Sequence, residues 1–296
     1  MLQDRITTEL SQCEYPELLR RTGKVPARLY VQSLHGGLPQ GHYIAMVGTR
    51  RPSASASELC RRLVKSLAGT DAVIVSGLAQ GIDSYCHSAA LEFGLKTVAV
   101  LAQGLELRIP GDRGQLANEI VEQGGALLSE FPGNMDSRKG MFVSRNRIIA
   151  GLAHATVVVE SKAKGGSLIT ADFAKEYARE LFACPGNFDC ETSQGPLELL
   201  RKGLAKPIFM PEDLRGLCGL QSSGQQALAK ASPKAALLSP TAQALYAKFA
   251  GYTKTLTELA NEPGMNTGAL FAILTELELA GLAASSDRLR YIFEKD

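Results

Sequence analysis

Six short apolar runs, at 43–47, 72–75, 97–101, 126–128, 155–159 and 181–183, recur at intervals that leave room for one helix between neighbours. They are rich in Val, Ile and Ala and show no polar alternation, the pattern of strands covered on both faces. Four of them pass directly into glycine loops. Val47 leads into Gly48-Thr49-Arg50, and Val75 into Ser76-Gly77-Leu78-Ala79-Gln80-Gly81-Ile82-Asp83. Leu101 leads into Ala102-Gln103-Gly104, and Glu160 is followed by Lys162-Ala163-Lys164-Gly165-Gly166-Ser167. Helical stretches are predicted at about 55–67, 82–93, 113–123, 145–153 and 168–179. Alternating strands and helices specify an α/β fold with a doubly wound, mostly parallel sheet.

Flanking segments differ in character. Residues 1–40 read as a helical and extended lead-in, with turn signals at Pro16, Pro26 and Gly36-Gly37, and the α/β repeat occupies 41–215. Residues 216–240 are rich in Gly, Ser, Gln, Ala and Pro and read as a linker. Beyond it, 241–296 carries three helical segments and a closing strand, Leu289 to Phe293. Thr255-Leu256-Thr257-Glu258 marks a capped helix start, and a turn is expected at Pro263-Gly264. This order is winged-helix-like, and a small three-helix bundle is the plainer alternative.

Composition narrows the functional classes. The amino terminus, MLQDRITTEL, lacks an apolar signal region, and no run approaches the roughly 18 apolar residues of a membrane span, so a soluble, cytoplasmic protein is expected. Six cysteines without a CxxC pair and four histidines without HExxH spacing argue for free thiols and no metal centre. Overall charge is +2, but 237–296 holds five Lys/Arg against seven Asp/Glu, a balance of −2 that leaves +4 on the remainder. An anionic polymer is therefore expected to favour the α/β part.

Glycine loops at the carboxyl ends of parallel strands let backbone amides approach phosphate oxygens, and the following helix N-termini add partial positive charge. On this basis Gly48, Ser76, Gly77, Gly81, Gly165, Gly166 and Ser167 are candidate phosphate contacts. No GxxxxGK[ST] loop is present, and Gly48 is followed by Thr49-Arg50-Arg51 instead of a GxGxxG run. Arg50 is therefore a candidate side-chain phosphate ligand, or else a solvated surface charge. Arg145-Asn146-Arg147 is expected at the start of a helix, preceded by Phe142 in a polar loop with Arg138 and Lys139. An aromatic among cations suits single-stranded nucleic acid, with base stacking on the ring and phosphates on Lys139, Arg145 and Arg147. The alternative has Phe142 packed beneath its loop and the arginines in structural hydrogen bonds.

Catalysis is the competing reading. Asp83 and His87 are four apart on one predicted helix face, without a placed nucleophile. Glu130 and Glu160, both just past strand ends, are a candidate acid–base pair for glycosyl chemistry on a nucleotide.

Taken together, the motifs resemble the DNA-processing protein A (DprA/Smf) family. Its pattern is matched by Tyr15-Pro16-Glu17-Leu18-Leu19, Val47-Gly48-Thr49-Arg50, Ser76 to Asp83, His87, Ser129-Glu130-Phe131-Pro132-Gly133, Arg145 to Leu152, Val158-Val159-Glu160, Gly166 to Ala171 and Pro185-Gly186. The resemblance covers about 14–215. It implies an extended Rossmann-type domain, a homodimer, no enzymatic activity and no cofactor. It further implies a single-stranded DNA-binding recombination mediator that protects incoming DNA, displaces single-strand binding protein and loads the RecA recombinase during natural transformation. Members usually carry Tyr-Pro and a nearby Asn after the third strand, where this chain has Ile109-Pro110 and Arg113. The competing enzyme class is a nucleotide hydrolase of the lysine-decarboxylase-like (LOG) type, whose Pro-Gly-Gly-x-Gly-Thr run is replaced here by Lys164-Gly165-Gly166-Ser167-Leu168. The tail, acidic in balance and without Lys or Arg between Thr267 and Ala280, is expected to serve protein contacts.

Overall fold

The structure is a computed structural model that describes residues 5–220, 238–249, 253–260, 267–280, 282–287 and 290–293. The chain divides into two compact units, Met1–Ser223 and Gly224–Asp296. Most of the linker expected at 216–240 and the Pro263-Gly264 turn fall outside the described residues.

In the first unit the elements run β1 (Ile6–Glu9), α1 (Glu17–Arg20), β2 (Tyr30–Ser33), β3 (His42–Val47), α2 (Ala56–Ser66), β4 (Ala72–Ser76) and α3 (Ile82–Glu92). Next come β5 (Lys96–Val100), α4 (Asp112–Glu122), β6 (Ala126–Ser129), α5 (Lys139–Leu152), β7 (Ala155–Val158) and α6 (Ser167–Glu176). The unit closes with β8 (Glu180–Ala183), α7 (Gln194–Arg201), β9 (Lys206–Pro207) and α8 (Asp213–Leu217). They form a nine-stranded sheet in the order β1-β2-β6-β5-β4-β3-β7-β8-β9. Strands β3 to β9 are parallel; β1 and β2 add antiparallel at one edge, with Tyr30 opposite Ser129.

Both faces of the sheet are covered, as the uninterrupted apolar runs require. Tyr43, Ala45 and Val47 of β3 pack with Ile148, Ile149 and Leu152 of α5, while Ile44 and Met46 pack with Cys60, Leu63 and Val64 of α2. The chain builds outward from β3 through β4, β5 and β6, then returns across α5 to β7 on β3's other side. The loops after β3 and β7 therefore diverge at a topological switch point, where open α/β sheets bind ligands.

Helix α7, strand β9 and helix α8 have no counterpart in the sequence reading, and two stretches that it did read differ. The first 40 residues are not merely a lead-in: β1 and β2 belong to the main sheet, and Tyr15 and Leu19 are buried in its core. Helix α5 begins at Lys139, six residues before the expected start, so Phe142 sits on a helix and not in a loop.

The second unit contains α9 (Pro240–Phe249), β10 (Thr253–Thr255), α10 (Leu256–Ala260), α11 (Thr267–Leu279), β11 (Ala283–Asp287) and β12 (Arg290–Phe293), with a sheet in the order β10-β12-β11. Its core joins Leu245, Tyr246 and Phe249 to Leu270, Leu274 and Leu277. Glu258 caps α10 as expected: its carboxylate accepts the Thr255 amide at 2.8 Å, and its own amide donates to Thr255 Oγ1. Among the described residues no helix is long and apolar enough to cross a membrane.

Candidate nucleic-acid interface

At the switch point a cavity of about 350 Å³ opens between the loops after β3 and β7 and the exposed side of α5. Gly48, Thr49 and Arg50 line it from one loop, and Lys162, Lys164, Gly165, Gly166 and Ser167 from the other. Phe142, Asn146 and Ile149 line it from α5. Their i, i+4, i+7 spacing puts them in one stripe of the helix, an arrangement hidden when the helix is started at Arg145. The Arg50 guanidinium lies 5.2 Å from the Phe142 ring centroid, a cation–π contact. Arg50 is exposed and has no carboxylate partner among the described residues, and Phe142 is half-buried.

The Ser76–Asp83 loop is a support for this cavity. Asp83, buried in the first turn of α3, accepts the backbone amides of Gly77 (3.1 Å) and Ala79 (3.4 Å). Between them Leu78 is buried at φ +53°, a left-handed conformation that a non-glycine residue holds only when its surroundings enforce it. Gly81 has φ +90°, and a Cβ there would stand 2.5 Å from the Thr49 carbonyl oxygen. Gly77 must be glycine for a different reason: a Cβ would lie 2.0 Å from Arg145 Nη1. Ser76 is buried and donates to the Met46 carbonyl at 2.6 Å, which ties β4 to β3.

The two arginines flanking Asn146 point in different directions. Arg145 is 5 % exposed, and its Nη1 donates to the carbonyls of Gly77 and Val100, both at 2.6 Å. Burial lowers its pKa to about 10 against the pull of Asp83, whose own carboxyl burial pushes up. Arg145 therefore forms the floor of the cavity, the structural alternative for this residue. Arg147, two positions on, turns to the other side of α5, donates to the Lys24 carbonyl and pairs with Glu130. It does not line the cavity. Lys139, in the first turn of α5, is exposed and lies outside the cavity lining.

Neither candidate catalytic pair is joined by a hydrogen bond among the described residues. Glu130 is held by Arg147 and Ser144, and Glu160 accepts from Ser53 through backbone and hydroxyl. His87 meets Thr97, not Asp83. Sequence reading missed Thr49, Lys162 and Lys164 as lining residues, although two lysines beside Gly165-Gly166 were a readable signal. Lys162 pairs with Glu191 at 2.6 Å, whereas Lys164 is exposed without an ion pair among the described residues. Asn146 donates to the Gly166 carbonyl at 3.3 Å and fixes the β7 loop to α5.

Comparison with known proteins bears on this site. The family model for DNA recombination-mediator protein A matches residues 6–217, which contain the whole cavity. The chain belongs to the DprA/Smf family. The winged helix domain of DprA matches residues 229–287, in accord with the three-stranded second unit. DprA of Bacillus subtilis is 38% identical over 208 residues, 70% of this chain and 69% of that protein. Smf of Escherichia coli is 36% identical over 275 residues, 92% of this chain and 73% of the relative. Among solved DprA structures, one from Helicobacter pylori, described for its single-stranded DNA binding mode, superposes with a TM-score of 0.65 at 29% identity. It covers 74% of this chain and 99% of that one. The Streptococcus pneumoniae DprA structure also gives 0.65, at 34% identity, with 73% and 75% covered.

Proposed function

We propose that this protein binds single-stranded DNA at the β3–β7 cavity and acts as a recombination mediator without catalysing a reaction. The observation that carries the reading is Arg50, free of any described carboxylate, held over the face of Phe142 at the mouth of a cavity that also carries Lys164 and two glycine loops. Such a site offers a backbone phosphate a cation and offers a base an aromatic plane, without a reader of base edges. Single-strand binding by the Helicobacter pylori relative supports it. Because Glu130 and Glu160 are each held in their own hydrogen-bond network, the site lacks the free carboxylate pair that a LOG-type nucleotide hydrolase reading asks for. Assembly as a homodimer, displacement of single-strand binding protein, RecA loading and a cytoplasmic location are what the family resemblance implies, and they belong to the same proposal.

The test is a titration of a hairpin-free oligonucleotide and its duplex over a salt series. Single-strand preference with little sequence dependence is expected, and equal affinity for the two forms overturns the reading. Arg50→Ala should weaken binding on all sequences and flatten the log–log salt slope by about 0.7. Phe142→Ala should cost about 1–3 kcal/mol of binding with the slope preserved, since stacking releases no counterions.

Deleting residues 237–296 should leave single-strand affinity nearly unchanged. Within that segment Lys254 pairs with Glu258, and Glu276 of α11 accepts the amide and hydroxyl of Ser239 at the start of α9. A glutamate occupied in packing its own unit is not a phosphate reader. Collapse of affinity in a well-folded truncation would assign the tail to the DNA site.

A further inference from the structure

We propose that Arg113 is a phosphate ligand of a second nucleotide subsite, on the far side of the Arg50–Phe142 pair, that takes the next nucleotide of the same strand. The proposal rests on the single-strand reading above and adds a residue and a direction to it. A second cavity, of about 330 Å³, adjoins the first and shares Arg50, Ala79, Phe142 and Arg145 with it. Phe142 therefore lines both cavities, where a platform between two successive nucleotides would stand. Three arginines, 50, 113 and 145, line the second cavity, and no aspartate or glutamate does. Of these, Arg145 is spent on backbone carbonyls and Arg50 faces both spaces. Arg113 is the cation particular to this side.

Arg113 stands in the first turn of α4, where helix amides add partial positive charge. It is exposed and makes no hydrogen bond or ion pair among the described residues, so its guanidinium donors are open to a ligand. Opposite it, Gln103 and Ser137 offer neutral hydrogen-bonding groups, and Leu78, Leu101 and Ile109 offer apolar surface to a sugar or base edge. The combination of cations without a salt-bridge partner, neutral polar groups and apolar wall suits a nucleotide better than an inorganic anion. A third space, about 620 Å³, also has Arg113 in its wall, but there together with the acids Asp112 and Glu119. Their charges oppose a phosphate there, so the electropositive path stops at Arg113 and the core site spans the two cavities only.

The experiment compares full-length wild type with Arg113→Ala, Arg113→Lys and Lys65→Ala on a fluorescent oligothymidylate over a salt series. Lys65 is an exposed cation near the C-terminus of α2, at the opposite end of the sheet. Arg113→Ala should flatten the salt slope by about 0.7, Arg113→Lys should retain it, and Lys65→Ala should leave it alone. Thermal unfolding of all variants should match the wild type, because Arg113 holds no structural contact. An Arg113→Ala slope equal to wild type while Arg50→Ala is weakened overturns this subsite alone. Equal flattening by Lys65→Ala also overturns it, because the effect would then be one of net charge. Failure of the wild type to bind the oligonucleotide overturns the underlying reading as well.

Discussion

Arg145→Met should destabilise the first unit by about 3–5 kcal/mol, the usual cost of removing one member of a buried charge network. In the wild type its guanidinium carries the carbonyls of Gly77 and Val100 and stands close enough to the buried Asp83 to act on its pKa. Without it, two carbonyls lose a donor and the Asp83 carboxylate loses its only described cation, in a region with little access to water. Asp83→Asn in the Arg145→Met background should recover part of the loss, because the uncompensated charge is then gone. Urea unfolding of the two single variants and the double variant reads this coupling. A loss below about 1 kcal/mol for Arg145→Met would show that the network is not holding the site. Loss of DNA affinity in this variant should track loss of folded protein, in contrast to Arg50→Ala, which should bind poorly while fully folded.

Acid should destabilise the same unit through His87. Its ring is fully buried; Thr97 donates its hydroxyl proton to the Ile74 carbonyl, so His87 Nδ1 carries the hydrogen that it gives to Thr97. The other ring nitrogen is buried without a partner, and burial, aided by Arg145, depresses the pKa to about 3. The unfolded imidazole takes a proton near pH 6.5, the folded one only near 3. Between these values the unfolded chain binds more protons, so stability rises with pH and falls on acidification from about 6.5 to 3. At roughly 1.4 kcal/mol per pH unit, the His87 contribution should reach about 2–3 kcal/mol by pH 4.5. Carboxylates titrate in this range too, so the measurement is the difference between wild type and His87→Gln across pH 4.5–7. Parallel curves for the two proteins would mean that His87 is not buried as a neutral ring.

How far the chain could be read in advance depended on whether a signal was local. The parallel strands were legible because a strand covered on both faces must be apolar at every position, and β3 to β8 lie within two residues of the runs that predict them. The glycine loops were legible because backbone pressed against a neighbouring loop, as at Gly81, or against a buried side chain, as at Gly77, excludes a Cβ. The capped start of α10 rests on a three-residue spacing and was equally local. Strands β1 and β2 were not: with one polar edge and four residues each, they pair across long sequence separations that no periodicity announces. The start of α5 was masked by Gly140 and by the polar residues before it, which displaced Phe142 from helix to loop.

Residue types alone established that cations, glycines and one aromatic gather at the carboxyl end of a parallel sheet, since strand direction and loop position follow from chain order. Which cation does what was decided only in three dimensions. Arg145 and Arg147 are two residues apart, and on a helix that is about 200° of rotation, so one is sealed beneath the cavity on backbone carbonyls and the other is paired with Glu130 behind it. Arg50, from a loop nearly a hundred residues earlier, is the one that reaches Phe142. A side chain's charge is a property of the sequence; whether that charge is already neutralised depends on its neighbours in space.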